Sequence, residues 1–301
     1  MKRPVSKIKK TAPKQNPKPL YMLSEANAIY MSCTRAGFGS QWVQFFTAAL
    51  FAETLSKPFH IKQTPNIIEK RYPILSSVLD SSHIRVPCIT WVSSLPKSAV
   101  SAGWQKESHD KCKSLGWPAI WDAGQRVLRM KSDIIRRLEG RNLAAFGIAM
   151  FDVGIHVRGG DKLAALKKCK TNVDTQAYIK AFQQVKEQHF HKNTTPLSIY
   201  LATDDLLESS AVIEELKGQR HRVFIHEHDR GATGFSSTKF QQRKTPTVDY
   251  ENWMLNLYTL TRCAYTIVTA TSNMGLLVEL MHAENQGRDR VINISRHIIG
   301  W

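Results

Sequence analysis

The sequence predicts an α/β protein built as two lobes, and three observations carry that prediction. Short apolar, β-branched runs alternate with helix-length patterns through the second half, which is the signature of parallel strands joined by helical crossovers. The first half opens its folded part with a strand, a glycine-containing turn and a helix, the opening unit of an α/β layer. A chain of 301 residues with 42% apolar content is long enough for about two domains, each with its own core.

The elements follow in order. Residues 1–20 carry seven lysines and arginines, four prolines and no acid, so they read as a solvated, disordered tail. Asn27 to Cys33 reads as a strand, followed by a turn through Gly37 and Gly39 and a helix from Gln41 to about Leu55, with Ser40 as its N-cap. A second strand is expected from His83 through Val92, and Ser94 to Trp117 is loop-like. One long amphipathic helix is expected from about Pro118 to Arg137, stopped by Gly140. The boundary between the lobes falls near Gly140–Phe146, giving lobes of 21–145 and 146–301.

Beyond it the alternation is cleaner. Strands are expected at Asp152–Val157, Leu197–Ala202, Arg222–His226, Tyr265–Ala270 and Arg290–Ile294. Helices are expected at Asp174–Gln188, Leu206–Lys217, Tyr250–Arg262 and from Ser272, with a long loop over Asp229–Pro246. Ligands of such sheets sit at the carboxyl ends of the strands.

The formal charge is +17, and +10 remains on the 281 residues after the tail, which suits a phosphate-bearing partner. Nucleic acid is not favoured, because no aromatic-basic recognition motif accompanies the charge. The five cysteines form no CxxC pair and no zinc spacing. No apolar run reaches membrane-span length and no signal-peptide pattern is present.

Chemistry concentrates in Gly154-Ile155-His156-Val157-Arg158-Gly159-Gly160-Asp161-Lys162. Here a strand ends in a turn carrying a guanidinium, whose planar fork suits phosphate oxygens, and glycines that let backbone N–H groups approach an anion. The bland alternative pairs Arg158 with Asp161 and leaves the glycines only to turn the chain. Ile199 to Asp205 is a strand ending Thr203-Asp204-Asp205, and Thr269-Ala270-Thr271-Ser272-Asn273 opens a helix. The two aspartates could suit a divalent cation, and Asp205, ahead of an apolar helix, could equally be an N-cap.

The first run resembles the His-x-Arg-x-x-Asp-Lys motif of the α1,6-fucosyltransferases and their relatives. The other two segments are similar to that family's second and third motifs, in order, and Arg35 to Gln41 resembles its donor-facing loop. The resemblance implies a two-lobed glycosyltransferase-B-type architecture with a Rossmann-like parallel-sheet C-terminal lobe. It implies inverting, metal-independent transfer of L-fucose from GDP-fucose to a glycan or protein hydroxyl, with no further cofactor. The alternative is a nucleotide-sugar-binding protein that has lost catalysis. Under the resemblance Arg158 binds the β-phosphate, His156 orients the nucleotide and Ser272 and Asn273 meet phosphate at a helix N-terminus. Gly37 and Gly39 let the opposite lobe close over the donor, and Lys162, Asp161, Asp204 and Asp205 complete the catalytic set. The family resemblance points to the Golgi or secretory pathway, whereas the sequence shows no anchor, so a cytoplasmic location and membrane association both stay open.

Three departures accompany it. Gly159 stands where the family has a second arginine, Leu166 where it has a glutamate, and Asn256 where it has the aspartate that reads guanine. Asp249 and Glu251 are the acids nearest to Asn256 in the sequence.

Overall fold

The computed structural model describes residues 23–25, 28–32, 38–62, 75–92, 100–101, 114–158, 174–204, 206–226, 246–269 and 272–295. Its strands form two five-stranded sheets, one from each half of the chain. The first contains β1 (Leu23–Glu25), β2 (Ala28–Ser32), β3 (Phe59–Lys62), β4 (Ile89–Val92) and β5 (Val100–Ser101), in the order β4-β3-β2-β1-β5. It is mixed: β2, β3 and β4 run parallel, while β1 is antiparallel to both β2 and β5.

The second sheet is parallel throughout, as the alternation predicted. It contains β6 (Val153–Val157), β7 (Ser198–Thr203), β8 (Arg222–Phe224), β9 (Tyr265–Val268) and β10 (Val291–Asn293), in the order β10-β9-β6-β7-β8. Every residue of β6, β7 and β9 is buried, because helices cover both faces of a parallel sheet. β7 and β8 are added to one side of β6, and β9 and β10 to the other. The strand order therefore reverses between β6 and β9, and the crevice at that reversal is where open α/β sheets receive ligands.

The helices are α1 (Phe38–Leu55), the one-turn α2 (Leu75–Val78), α3 (Trp117–Val127), α4 (Ser132–Phe146), α5 (Thr175–His189), α6 (Leu206–Gly218), α7 (Pro246–Thr261) and α8 (Asn273–Met281). Asp174 caps α5 by accepting from the Ala177 N–H at 3.0 Å. The α5 side of the second sheet carries a core of its own, in which Val153, Ile155 and Val157 meet Tyr178, Phe182 and Val185. The opposite side joins a larger core with residues from both halves, including Trp42, Phe45, Tyr200, Met254, Leu257 and Leu277. Across it the Trp42 indole N–H donates to the Tyr250 hydroxyl at 3.3 Å, and Trp42 meets Trp253 edge-on at 5.5 Å.

The structure corrects the sequence reading at several places. The single helix expected over Pro118–Arg137 is two helices, broken at residues 128–131. No proline or glycine breaks it. Met130 instead forms an antiparallel bridge with Leu79, the Asp80 N–H donates to the Arg129 carbonyl at 2.8 Å and the Lys131 N–H to Val78 at 2.9 Å. Tertiary pairing outweighs helix propensity here. Gly140 does not stop the helix. It lies mid-way along α4, and Gly147 ends it in the left-handed conformation (φ 69°), donating to the Leu143 carbonyl at 2.9 Å. The strand expected over His83–Val92 is confined to Ile89–Val92, with residues 81–83 in a 3₁₀ turn capped by Asp80. Strands β1, β3 and β5 were not anticipated.

A Cβ on Gly140 would meet nothing within 4 Å. Gly140→Ala is therefore expected to stabilise the fold by about 0.4–1 kcal/mol, by reducing unfolded-chain entropy at no packing cost. Thermal unfolding reads it as a rise of a few degrees, and a fall would contradict the open space around this position.

Candidate functional site

The reversal point of the second sheet is occupied by the residues singled out from the sequence. Alternation along β6 sends Val153, Ile155 and Val157 into the α5 core, so Gly154 and His156 face α7. Gly154 allows a close helix approach, since a Cβ there would lie 2.8 Å from the Cys263 Sγ and 3.1 Å from Leu260. Two residues on, His156 is 5% exposed, and its Nδ1 has no hydrogen-bond partner among the described residues. Desolvation, and then the positive charge of Arg158, push its pKa down to about 3, so the ring is neutral at physiological pH.

Arg158 is the first residue beyond β6. Its backbone N–H donates to the Tyr178 hydroxyl at 3.2 Å, and its guanidinium is paired with Asp204, the first residue beyond β7. Tyr178 on α5 is 3% exposed, and burial raises its pKa to about 12, so it remains a neutral phenol. No sequence signal marked Tyr178, because a tyrosine on the apolar side of an amphipathic helix reads as core. The ion pair joins adjacent strand ends, with Arg158 17% and Asp204 31% exposed, which leaves both within reach of solvent and ligand.

Across the crevice, β9 runs into the N-terminus of α8. Thr269 is fully buried, and Ser272 is the N-cap, its Oγ accepting from the Met274 N–H at 3.2 Å. The first turn of α8 is pressed against the end of β9: a Cβ on Gly275 would lie 2.1 Å from the Thr269 carbonyl oxygen. A nine-residue helix thus points its N-terminal end, with its partial positive charge, at the crevice beside Arg158.

The remaining predicted residues fall as follows. The Asn273 amide donates to the Ser40 hydroxyl at 2.7 Å and ties α8 to α1. A Cβ on Gly39 would lie 2.9 Å from the Asn273 Cβ, so the glycine allows these two helix starts to meet. Asn256 on α7 is 8% exposed, and its amide oxygen accepts from the Tyr200 hydroxyl at 2.5 Å, which makes Tyr200 the residue that orients it. Glu251 pairs with Arg137 at 3.5 Å. Gly37, Asp161, Lys162, Asp205, Gly159 and Leu166 lie outside the described residues, as does the side chain of Asp249. The structure therefore brings Arg158, Asp204, His156 and Ser272 to one end of three adjacent strands, and gives Arg158 the carboxylate of Asp204.

The buried imidazole has a consequence for stability. The folded-state pKa of His156 lies below the ordinary value of 6.5, so the unfolded chain takes up a proton that the folded chain refuses between pH 6.5 and about 3. This contribution is fully present above pH 6.5 and is lost as pH falls through that window. His282, buried and lowered to about 4, acts in the same direction. In His156→Gln the loss of stability between pH 6 and 4 is expected to be shallower by up to about 1.4 kcal/mol per pH unit. Denaturant titrations at several pH values measure it, and an unchanged slope would show that the ring is protonated in the fold.

No family model and no curated protein matches this chain. Among solved structures it is similar to NodZ α-1,6-fucosyltransferase soaked with GDP-fucose, at 16% identity and a TM-score of 0.47, covering 84% of this chain and 92% of that one. It is also similar to fucosyltransferase NodZ from Bradyrhizobium, at 14% identity, a TM-score of 0.49 and the same coverages. POFUT1 in complex with GDP matches at 12% identity and a TM-score of 0.46, over 90% of this chain and 98% of that one. Among the described residues, no helix is long and apolar enough to cross a membrane.

Proposed function

We propose that this chain is an inverting, fucosyltransferase-like glycosyltransferase that takes its sugar from a nucleoside-diphosphate donor, GDP-fucose first among the candidates. The observation that carries the reading is the position of Arg158: it directly follows the central strand at the reversal point, on the side of the N-terminus of α8. A guanidinium and a helix N-terminus aimed at one crevice form a preorganised site for a diphosphate. As the glycosidic bond to phosphate breaks, negative charge grows on the departing nucleotide. Arg158 offsets that charge, assisted by Lys162 from the same motif, and no metal is required. Ser272 and the first turn of α8 hold the phosphates. His156, neutral and with an unspent ring nitrogen, orients the donor. Asp204 takes the role of organising Arg158, while Asp161 or Asp205 supplies a base for the acceptor hydroxyl of a glycan or protein.

The base-reading end of the site supports a narrower statement. With its oxygen engaged by Tyr200, Asn256 keeps its amino group for the base, where it can donate to an acceptor on the guanine edge. A screen of GDP- and UDP-sugars for thermal stabilisation therefore tests the reading, because a ligand that binds only the folded state raises its stability. GDP-fucose is expected to give the largest shift, followed by turnover with a glycan acceptor. Stabilisation without transfer or hydrolysis would establish a binding protein instead, and no stabilisation by any nucleotide sugar would remove the proposal.

A further inference from the structure

A second recessed site lies at the other end of the second sheet, where the C-terminal ends of α7 and α8 meet the turn between α3 and α4. It is open to solvent on one side and holds about 130 Å³, close to the volume of an engineered cavity of about 150 Å³ that accepts benzene. Its apolar wall is formed by Leu128, Met130, Ile135 and Met281, of which Leu128 and Met130 are buried. Two guanidinium-bearing residues, Arg129 and Arg262, line the same pocket and are exposed. Neither forms an ion pair among the described residues. The Arg262 guanidinium lies 5.9 Å from the centroid of the Tyr258 ring, which also lines the pocket.

Two guanidinium-bearing residues line this pocket and no carboxylate does. Two helices end at this point, and free C-terminal carbonyls would oppose a negative ligand. Those of α8 are already satisfied from α3: the Gln125 amide donates to Leu280 at 2.9 Å and to His282 at 3.3 Å, and the Trp121 indole donates to His282 at 3.0 Å. The Ala283 N–H donates to the Thr261 carbonyl at the end of α7. The nearby carboxylate of Glu139 accepts from the Tyr258 hydroxyl at 2.6 Å. Arg262 also reaches the Tyr258 hydroxyl and Arg129 has Asp80 as an acidic neighbour, but neither arginine is in a salt bridge among the described residues, so both keep guanidinium donors over the apolar wall.

We propose that this pocket binds a small carboxylate carried on an apolar, ring-sized body. The wall takes the body, and the planar guanidinium forks of Arg129 and Arg262 take the carboxylate. The site is separate from the Arg158 crevice and does not rest on the function proposed for it. It also joins the halves of the molecule, since α3 and α4 contribute one side and α7 and α8 the other.

Phenylacetate is the probe, titrated calorimetrically into the full chain, with inorganic phosphate and cyclohexylmethanol as separate arms. Saturable binding of phenylacetate is expected, unaffected by saturating GDP. The Arg129→Ala/Arg262→Ala double variant is expected to lose at least tenfold in affinity with its melting temperature retained, because both side chains are exposed. Ala283→Leu, which fills the mouth from an exposed position, is expected to weaken binding by a similar factor. Absence of saturable binding overturns the proposal, and so does equal affinity in the double variant. Phosphate binding as tightly as phenylacetate would assign the site to charge alone, and cyclohexylmethanol binding as tightly would assign it to the apolar wall alone. Either result overturns the proposal.

Discussion

Arg158→Ala is expected to lower sugar transfer by at least about 10²–10³-fold, the scale seen when a preorganised group facing transition-state charge is removed. Donor affinity is expected to fall less, by about tenfold, at the low end of the roughly 1.5–3 kcal/mol of a charge-assisted hydrogen bond. The asymmetry follows from where charge develops. The bound diphosphate already carries charge, but the departing nucleotide gains more as the bond to sugar breaks, so the guanidinium acts more strongly on the transition state than on the ground state. The fold is expected to survive. The Arg158 backbone N–H keeps its bond to Tyr178, and Asp204 is 31% exposed, so water replaces the lost cation. Arg158→Lys keeps the charge without the planar fork and is expected to fall between the two. Single-turnover transfer, GDP titration and thermal unfolding, measured together, separate these effects. Near-normal turnover in the alanine variant would reduce Arg158 to a structural partner of Asp204.

The second sheet was legible because it is parallel and covered on both faces. Its strands read as continuous apolar runs, such as Ser198–Thr203, and each is separated from the next by a helix whose buried face repeats. The first sheet was harder to read for the opposite reason. Strand β3 is four residues, Phe-His-Ile-Lys, and β5 is two, so neither is long enough to show a period. They are strands because β2 and β1 pair with them. The break between α3 and α4 is likewise invisible locally, since the Leu79–Met130 bridge that causes it joins residues far apart in sequence. The same division runs through the site. Arg158, Asp204 and Ser272 stand at ends of legible strands and carry recognisable chemistry. Tyr178, which fixes the Arg158 backbone, and Tyr200, which engages Asn256, look like core residues until the structure shows their hydroxyl partners. Asp204 was anticipated as a cation ligand or a member of the catalytic set, while the alternative partner for Arg158 was Asp161. The register of β6 against β7, which sets His156 beside Ala202 and Val157 beside Thr203, is what delivers Asp204 to Arg158.

Gly275→Ala is expected to have the largest effect of a methyl group added at any glycine among the described residues. The new Cβ would lie 2.1 Å from the Thr269 carbonyl oxygen and 2.9 Å from its carbon, both backbone atoms that no side-chain rotation can move aside. Relief requires α8 to back away from the end of β9, yet α8 is held elsewhere. Asn273 is bonded to Ser40, Gly39 leaves no slack against Asn273, and a Cβ on Gly124 of α3 would be only 2.6 Å from the Leu280 carbonyl. Overpacking of this kind costs about 1–3 kcal/mol, and more where the surroundings cannot yield. In a chain of this size that corresponds to a loss of several degrees in melting temperature. The strain falls on the turn that carries Ser272, whose N–H donates to the Thr269 carbonyl at 3.2 Å. Donor binding is therefore expected to weaken along with stability, whereas Gly140→Ala leaves binding unchanged. Thermal unfolding with and without GDP distinguishes the two. A Gly275→Ala protein with wild-type stability would mean that α8 can shift relative to β9, and a fixed N-terminus at the crevice would no longer explain the site.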